Sequence, residues 1–182
     1  MQKNTKNKAS KMLRLMIISA FLSALSIVLG KYLAINLGEV LRLSFENLPI
    51  IFAGAAFGSV AGIAVGVVAD LLGCLLVGYA VNPVVTIGAA TIGAVAGLYR
   101  LLPNWQGGVS HYLKVAITVF SAHFVGSVII KTAGLAAFYA MPYIILLLWR
   151  ALNYLIIGTL EVVIISLLFK SKRLMHEISK IV

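Results

Sequence analysis

RLSFENLPIIFAGAAFGSVAGIAVGVVADLLGCLLVGYAVNP, residues 42–83, is an apolar run with three charged side chains, Arg42, Glu46 and Asp70. Glycine recurs through it at positions 54, 58, 62, 66, 73 and 78. In a bilayer such glycines let helices approach closely, whereas each charge in hydrocarbon costs about 2.5 kcal/mol or more and calls for a purpose. Leu48–Gly78 is too long for one ordinary span and short for two. A break at Gly58-Ser59 divides it into a short helix over about 48–58 and a full one over about 59–78.

The whole chain has the same character. Of its 182 residues 62% are hydrophobic and 11% charged, with a mean hydropathy of +1.06, against roughly 25% charged residues in soluble domains. This is the composition of an integral membrane protein. The net charge of +10 raises the question of nucleic acid, but the cations sit at chain ends and helix borders rather than on a basic face with interleaved aromatics. They read as topology signals, and no nucleic-acid partner is expected. Cys74, the single cysteine, cannot form an internal disulfide and reads as a small buried hydrophobe.

Outward from the central run, residues 12–35 form a first span behind a basic N-terminal segment that reads as a retained signal anchor, with Lys31 snorkelling at its far end. Residues 36–47 are too polar to cross and form a loop or interfacial segment, with Asn47 as a cap ahead of Pro49. Further spans follow over 86–102, 112–138 and 142–169. The expected fold is therefore an all-α membrane protein, one integral membrane domain over 1–182 with six transmembrane helices.

Both termini are expected in the cytoplasm. That orientation places Lys3, Lys6, Lys8, Lys11, Arg14, Arg100, Lys114, Lys170, Lys172, Arg173 and Lys180 inside, and only Lys31, Arg42, Lys131 and Arg150 in the outer half. The asymmetry follows the positive-inside rule. Five spans would put one basic end outside.

The polar residues within spans fall into stripes. Arg150, Asn153, Tyr154 and Glu161 share one helical face, and His123, Ser127 and Lys131 repeat at four. With Asp70 they must face the bundle interior, and Lys131, Arg150 and Asp70 converge on the outer half, beneath a lid of Arg42, Phe45 and Glu46. The alternative is that these charges are internal ion pairs that only fix helix packing. Glu161 lies deeper and reads as structural. His123 has no second His or Cys at ligand spacing, so no metal site is expected. Ala20 and Ala24 form a flat small-residue face suited to close helix packing, either within the bundle or against a partner. No phosphate-binding loop, nucleophile elbow or HExxH occurs, so the chain carries no ATPase site and no hydrolase site of these kinds.

R-x-S-F at Arg42, Ser44 and Phe45, L-P at Leu48-Pro49, A-G-x-x-F-G at Ala53–Gly58, D-L-L-G at 70–73 and the small-residue pattern of the fourth span together resemble the substrate-binding S components of energy-coupling-factor vitamin transporters, most closely the folate-specific type. After D-L-L-G the loop VGYAVNPVV departs from the family pattern. The resemblance implies a high-affinity binding subunit in a bacterial-type cell membrane, with no cofactor. Its partners would be a membrane-embedded coupling protein, docked on Ala20 and Ala24, and two ATPase subunits. Folate carries two carboxylates that suit Arg42, Lys131 and Arg150, and a pterin edge that Asp70 or Glu46 can accept from. Phe45, Tyr79, Trp149 and Tyr154 are the candidates to flank the ring, with Asn82 in the adjoining loop. Two alternatives stay open, an S component for riboflavin or thiamine and a membrane assembly protein that transports nothing.

Overall fold

A computed structural model describes the backbone of residues 2–37, 41–103 and 108–181, and the side chains of these except 2–7, 36–37, 41–42 and 108–109. The first helix, α1 (Gln2–Ile27), continues as a π-helical stretch over Val28–Tyr32. A three-residue antiparallel pair follows, β1 (Ile35–Leu37) with β2 (Leu41–Leu43), in the register Asn36 opposite Arg42. The segment expected as a simple loop is thus a small hairpin. Next come α2 (Asn47–Phe57), α3 (Ser59–Val77) and α4 (Pro83–Gly97), the last ending in a 3-10 turn over Leu98–Leu101. Helix α5 (Gly108–Ala122) passes through a second π-helical stretch, His123–Lys131, into α6 (Thr132–Tyr139). The chain ends in α7 (Tyr143–Lys170) and the amphipathic α8 (Lys172–Ile181).

Five of these helical units are long and apolar enough to cross a membrane: Lys8–Tyr32, Ser59–Val77, Pro83–Leu101, Ser110–Tyr139 and Tyr143–Lys170. The eleven residues of α2 reach only about 16 Å, half of a hydrocarbon core of roughly 30 Å. Its first residue explains the shortfall. Asn47 bonds with Lys131 and Ser127, and Lys131 precedes the eight residues of α6, so α2 begins about 12 Å in from the Tyr139 end of that helix. Irregular backbone is tolerated at such depth only where protein or a cavity surrounds it. Here Ser26 Oγ donates to the Glu46 carbonyl at 2.5 Å, tying the descending loop to α1. Asn47 is not the helix cap expected from the sequence: that position is Glu46, and the Asn47 amide serves the buried network instead.

Gly58 separates α2 from α3 at φ +101°, a conformation a Cβ would strain. The reversal lays α2 and α3 side by side against α4. There the helices touch backbone to backbone: a Cβ on Gly62 would meet the Gly93 carbonyl oxygen at 2.5 Å, and one on Gly93 would run into the Gly62 carbonyl group. Arg100, in the turn after α4, donates to the Ala56 carbonyl and so satisfies the end of α2. Helix α8 packs back beneath the bundle, where Ile178 joins the core that holds Leu22 of α1 and Ile165 of α7. Both termini therefore lie at one end. Glu177, the carboxylate there among the described residues, is bonded by Lys180 at 2.5 Å, and that hydrogen bond holds its pKa below the usual range.

Candidate functional site

The opposite end of the bundle holds a cavity of about 210 Å³. Helix α1 contributes Lys31, the descending loop Ser44 and Glu46, and α3 with its exit loop Asp70, Cys74 and Tyr79. Asn82 and Val85 come from the start of α4, Lys131 to Tyr139 from the second π stretch and α6, and Trp149, Arg150, Asn153 and Tyr154 from α7. Elements far apart in sequence thus meet at one site.

The π-helical stretch organises its floor. Its wider turn keeps His123, Ser127 and Lys131 on the inward side, and all three are buried. Lys131 Nζ donates to Glu46 Oε1 at 3.0 Å and to Asn47 Oδ1 at 3.3 Å. Arg150 approaches from α7 and donates through Nε and Nη2 to the Ser127 carbonyl at 3.3 and 3.1 Å. Its guanidinium also lies 5.3 Å from the Tyr154 ring centre, and Nη2 donates to the Tyr154 hydroxyl at 3.3 Å. Asp70 is fixed differently, accepting from Thr86 Oγ1 at 2.6 Å.

Of the three charges in the packing alternative, only Lys131 is in an ion pair. Among the described residues neither Arg150 nor Asp70 has an ion-pair partner. A guanidinium held by a backbone carbonyl keeps its full charge and further donors for an incoming anion.

Glu46, Asp70, Tyr79, Asn82, Lys131, Trp149, Arg150 and Tyr154 all line this one cavity. Asn82 is already engaged, its Oδ1 accepting from Val84 N at 3.0 Å and its Nδ2 donating to the Gly134 carbonyl at 2.8 Å. The Tyr154 ring is stacked on His123, with centres 4.6 Å apart, so of the aromatic residues expected from the sequence to flank a ligand, Tyr79 and Trp149 are the ones that line the cavity with exposed rings, beside Phe138 and Tyr139 of α6. Phe45 does not line the cavity. In the extended loop successive side chains point to opposite sides, and Ser44 and Glu46 take the inward positions. The backbone of Arg42 lies in β2, while its side chain lies outside the described residues.

Lys31 is the main addition. Its place at the end of an apolar span suggests snorkelling, yet the π-helical stretch turns it inward, where Nζ lies 5.5 Å from the Tyr79 ring centre. Asn153, on the inward polar stripe with Arg150 and Tyr154, lines the cavity too, as do Ser44, Cys74 and the α6 residues Leu135, Phe138 and Tyr139, whose place there comes from the three-dimensional arrangement. No group of three His, Cys, Asp or Glu able to hold a metal occurs among the described residues.

On α1, Ala20 and Ala24 are exposed while Leu22, Ser23, Ser26 and Ile27 turn to the bundle. The small-residue face is therefore not spent on packing within the chain.

Comparison with known proteins gives a family and a fold. A family model described as "ECF transporter, substrate-specific component" matches residues 14–170. Among solved structures, one titled "Crystal structure of FolT bound with folic acid" superposes with a TM-score of 0.64 at 20% identity, over 81% of this chain and 86% of that one. No curated protein sequence matches.

Proposed function

The chain belongs to the family of ECF transporter substrate-specific components, integral membrane proteins that work with a coupling protein and ATPases, and we propose that its own substrate is folate. The observation that carries this reading is the cavity, which joins the guanidinium of Arg150 and the ammonium of Lys31 to the carboxylates of Asp70 and Glu46 and to exposed aromatic side chains, Tyr79 and Trp149 among them, in one chamber. The two carboxylates of folate engage Arg150 and Lys31 through charge-assisted hydrogen bonds. Asp70, held by Thr86, or Glu46, held by Lys131, accepts paired hydrogen bonds from the pterin edge. Tyr79 and Trp149 flank the ring. The solved structure bound with folic acid, whose fold this chain shares, supports the choice of probe.

The cavity end faces outward and the basic end faces the cytoplasm. Substrate is captured outside, and the exposed Ala20 and Ala24 face of α1 docks on the coupling protein. ATP hydrolysis belongs to the partner subunits.

Equilibrium titration of the purified protein with folic acid, in competition with riboflavin and thiamine, tests the reading. The expected result is binding of folic acid well below about 1 μM, tighter than roughly −8.2 kcal/mol. Preference for another vitamin reassigns the substrate, and no binding by a folded preparation favours a non-transport membrane protein. For the docking face, Ala20→Leu with Ala24→Leu is expected to leave folic acid binding intact and abolish uptake by cells that also express the ATPase module.

A further inference from the structure

Beneath the cavity an unbroken chain of hydrogen bonds runs into the bundle. Lys131 Nζ donates to Asn47 Oδ1 at 3.3 Å and Asn47 Nδ2 to Ser127 Oγ at 3.3 Å. Ser127 Oγ lies 3.2 Å from His123 Nδ1, and His123 Nε2 lies 2.5 Å from Glu161 Oε2. The chemistry of its ends sets its direction. An ammonium has only donors, so the Asn47 carbonyl must face Lys131 and its NH2 must face Ser127. Where Glu161 accepts from Nε2–H of His123 and Nδ1 accepts from the Ser127 hydroxyl, every donor points from the cavity cation to the buried carboxylate.

Among the described residues around this chain, Lys31, Lys131 and Arg150 stand against Glu46, Asp70 and Glu161. The elements packed on the π-helical stretch add little: α4 has no charged residue, α5 carries His111 beside the Ser166 carbonyl and Lys114 beside Tyr99 at its far end, α6 offers Tyr139, and α7 supplies Arg150, Tyr154 and Glu161. A bound anion therefore brings negative charge that the described residues do not offset, and it screens the cations that stabilise ionised Glu161.

Resting on the anionic-ligand reading above, we propose that His123 and Glu161 form a proton site linked to the cavity, which gains one proton as the ligand binds. Two places can receive it. Glu161 Oε1 is fully buried with no hydrogen-bond partner among the described residues. Alternatively His123 Nδ1 is protonated, and the Ser127 hydroxyl, with two lone pairs, accepts from both it and Asn47. Uptake with an anion means that affinity falls as pH rises through the range in which the pair loses its proton.

Isothermal titration with folic acid, in phosphate and in Tris between about pH 5.5 and 7.5, where free histidine titrates, counts the protons. The wild type is expected to take up protons, with affinity falling by up to about tenfold per pH unit. Glu161→Gln keeps an acceptor for His123 but cannot ionise, and is expected to lose the uptake and the pH slope while binding as the wild type does at the acid end. His123→Gln is the second variant should Glu161→Gln not fold. Tight wild-type binding with no proton uptake overturns the proton site and leaves the folate reading standing. Uptake that persists in both variants overturns the assignment to this pair. Absence of folic acid binding at every pH defeats the ligand reading, and the proton site falls with it.

Discussion

Both faces of α4 come backbone-close to their neighbours through glycine, but only one of those neighbours carries a buried polar network. Toward α2 and α3 it presents Gly93 and Gly97, and the helices close until backbone lies on backbone. Toward the second π-helical stretch it closes just as tightly, a Cβ on Gly126 meeting the Gly88 carbonyl oxygen at 2.8 Å, but that stretch also carries buried His123, Ser127 and Lys131, whose hydrogen bonds run on to Asn47 of α2 and Glu161 of α7. Lipid supplies no hydrophobic drive between helices, so close packing and polar pairing are the means available to hold them together. Packing without side chains leaves no room for a ligand, and the cavity lies beyond these contacts, where Lys31, Asp70 and Tyr79 from the end of α1 and from α3 with its exit loop face Lys131, Trp149 and Arg150 from the second π-helical stretch and α7. The glycine contacts hold the helices by shape, and the polar network and the cavity form the part that binds.

The contrast breaks most visibly at Gly93. In Gly93→Val the new side chain meets the Gly62 carbonyl, which cannot move without its helix, and overpacking of this kind costs about 1–3 kcal/mol or more. The variant is expected to lose its folded, monodisperse state in size-exclusion chromatography and thermal melting. A variant that melts like the wild type would show that α3 and α4 are not locked.

Arg150 probes the part that binds. Arg150→Met removes a charge without stranding a carboxylate, and the Ser127 carbonyl keeps the Thr132 hydroxyl at 3.3 Å. The fold is expected to survive while folic acid affinity drops about 100-fold, the scale of a lost charge-assisted hydrogen bond pair worth roughly 2.7 kcal/mol. Intact affinity with a large fall in melting temperature would return Arg150 to a packing role.

How far the sequence foretold this division depends on the range over which each signal acts. The break at Gly58 was readable because only glycine at that spacing serves a reversal inside a run too long for one span. The helical phase of Arg150 and Tyr154 was readable for the same local reason. Lys31 was expected to snorkel because it lies near the far end of an apolar span, and that position along the chain does not say which side of the helix it takes. Lys31 and Lys131 both sit in π-helical stretches, and no residue pattern announced them. The turning away of Phe45 and the use of Asn47 as a link rather than a cap depend on partners about 80 residues distant, beyond any local rule.

The smallest effect separates the ring of Tyr79 from its charge partner. Gly78, at φ +71°, ends α3 in a left-handed turn, and Tyr79 N donates to the Cys74 carbonyl at 2.9 Å, which fixes the backbone from which the ring reaches the cavity. That ring is 56% exposed, so its removal opens no hole in the protein. Stacking of one aromatic contributes about 0.5–1.5 kcal/mol beyond area, which corresponds to roughly 2- to 13-fold in affinity. Tyr79→Ala is therefore expected to weaken folic acid binding within that range at unchanged melting temperature, with Tyr79→Phe close to the wild type because the face remains. Lys31 lies over the same ring, and its cation–π contact contributes about 0.5–1 kcal/mol at an exposed site. If Tyr79→Ala instead binds more tightly, the freed ammonium gains more from the ligand carboxylate than the ring gives by stacking. Tyr79 would then be a rest position for Lys31 in the empty cavity rather than a wall of the filled one.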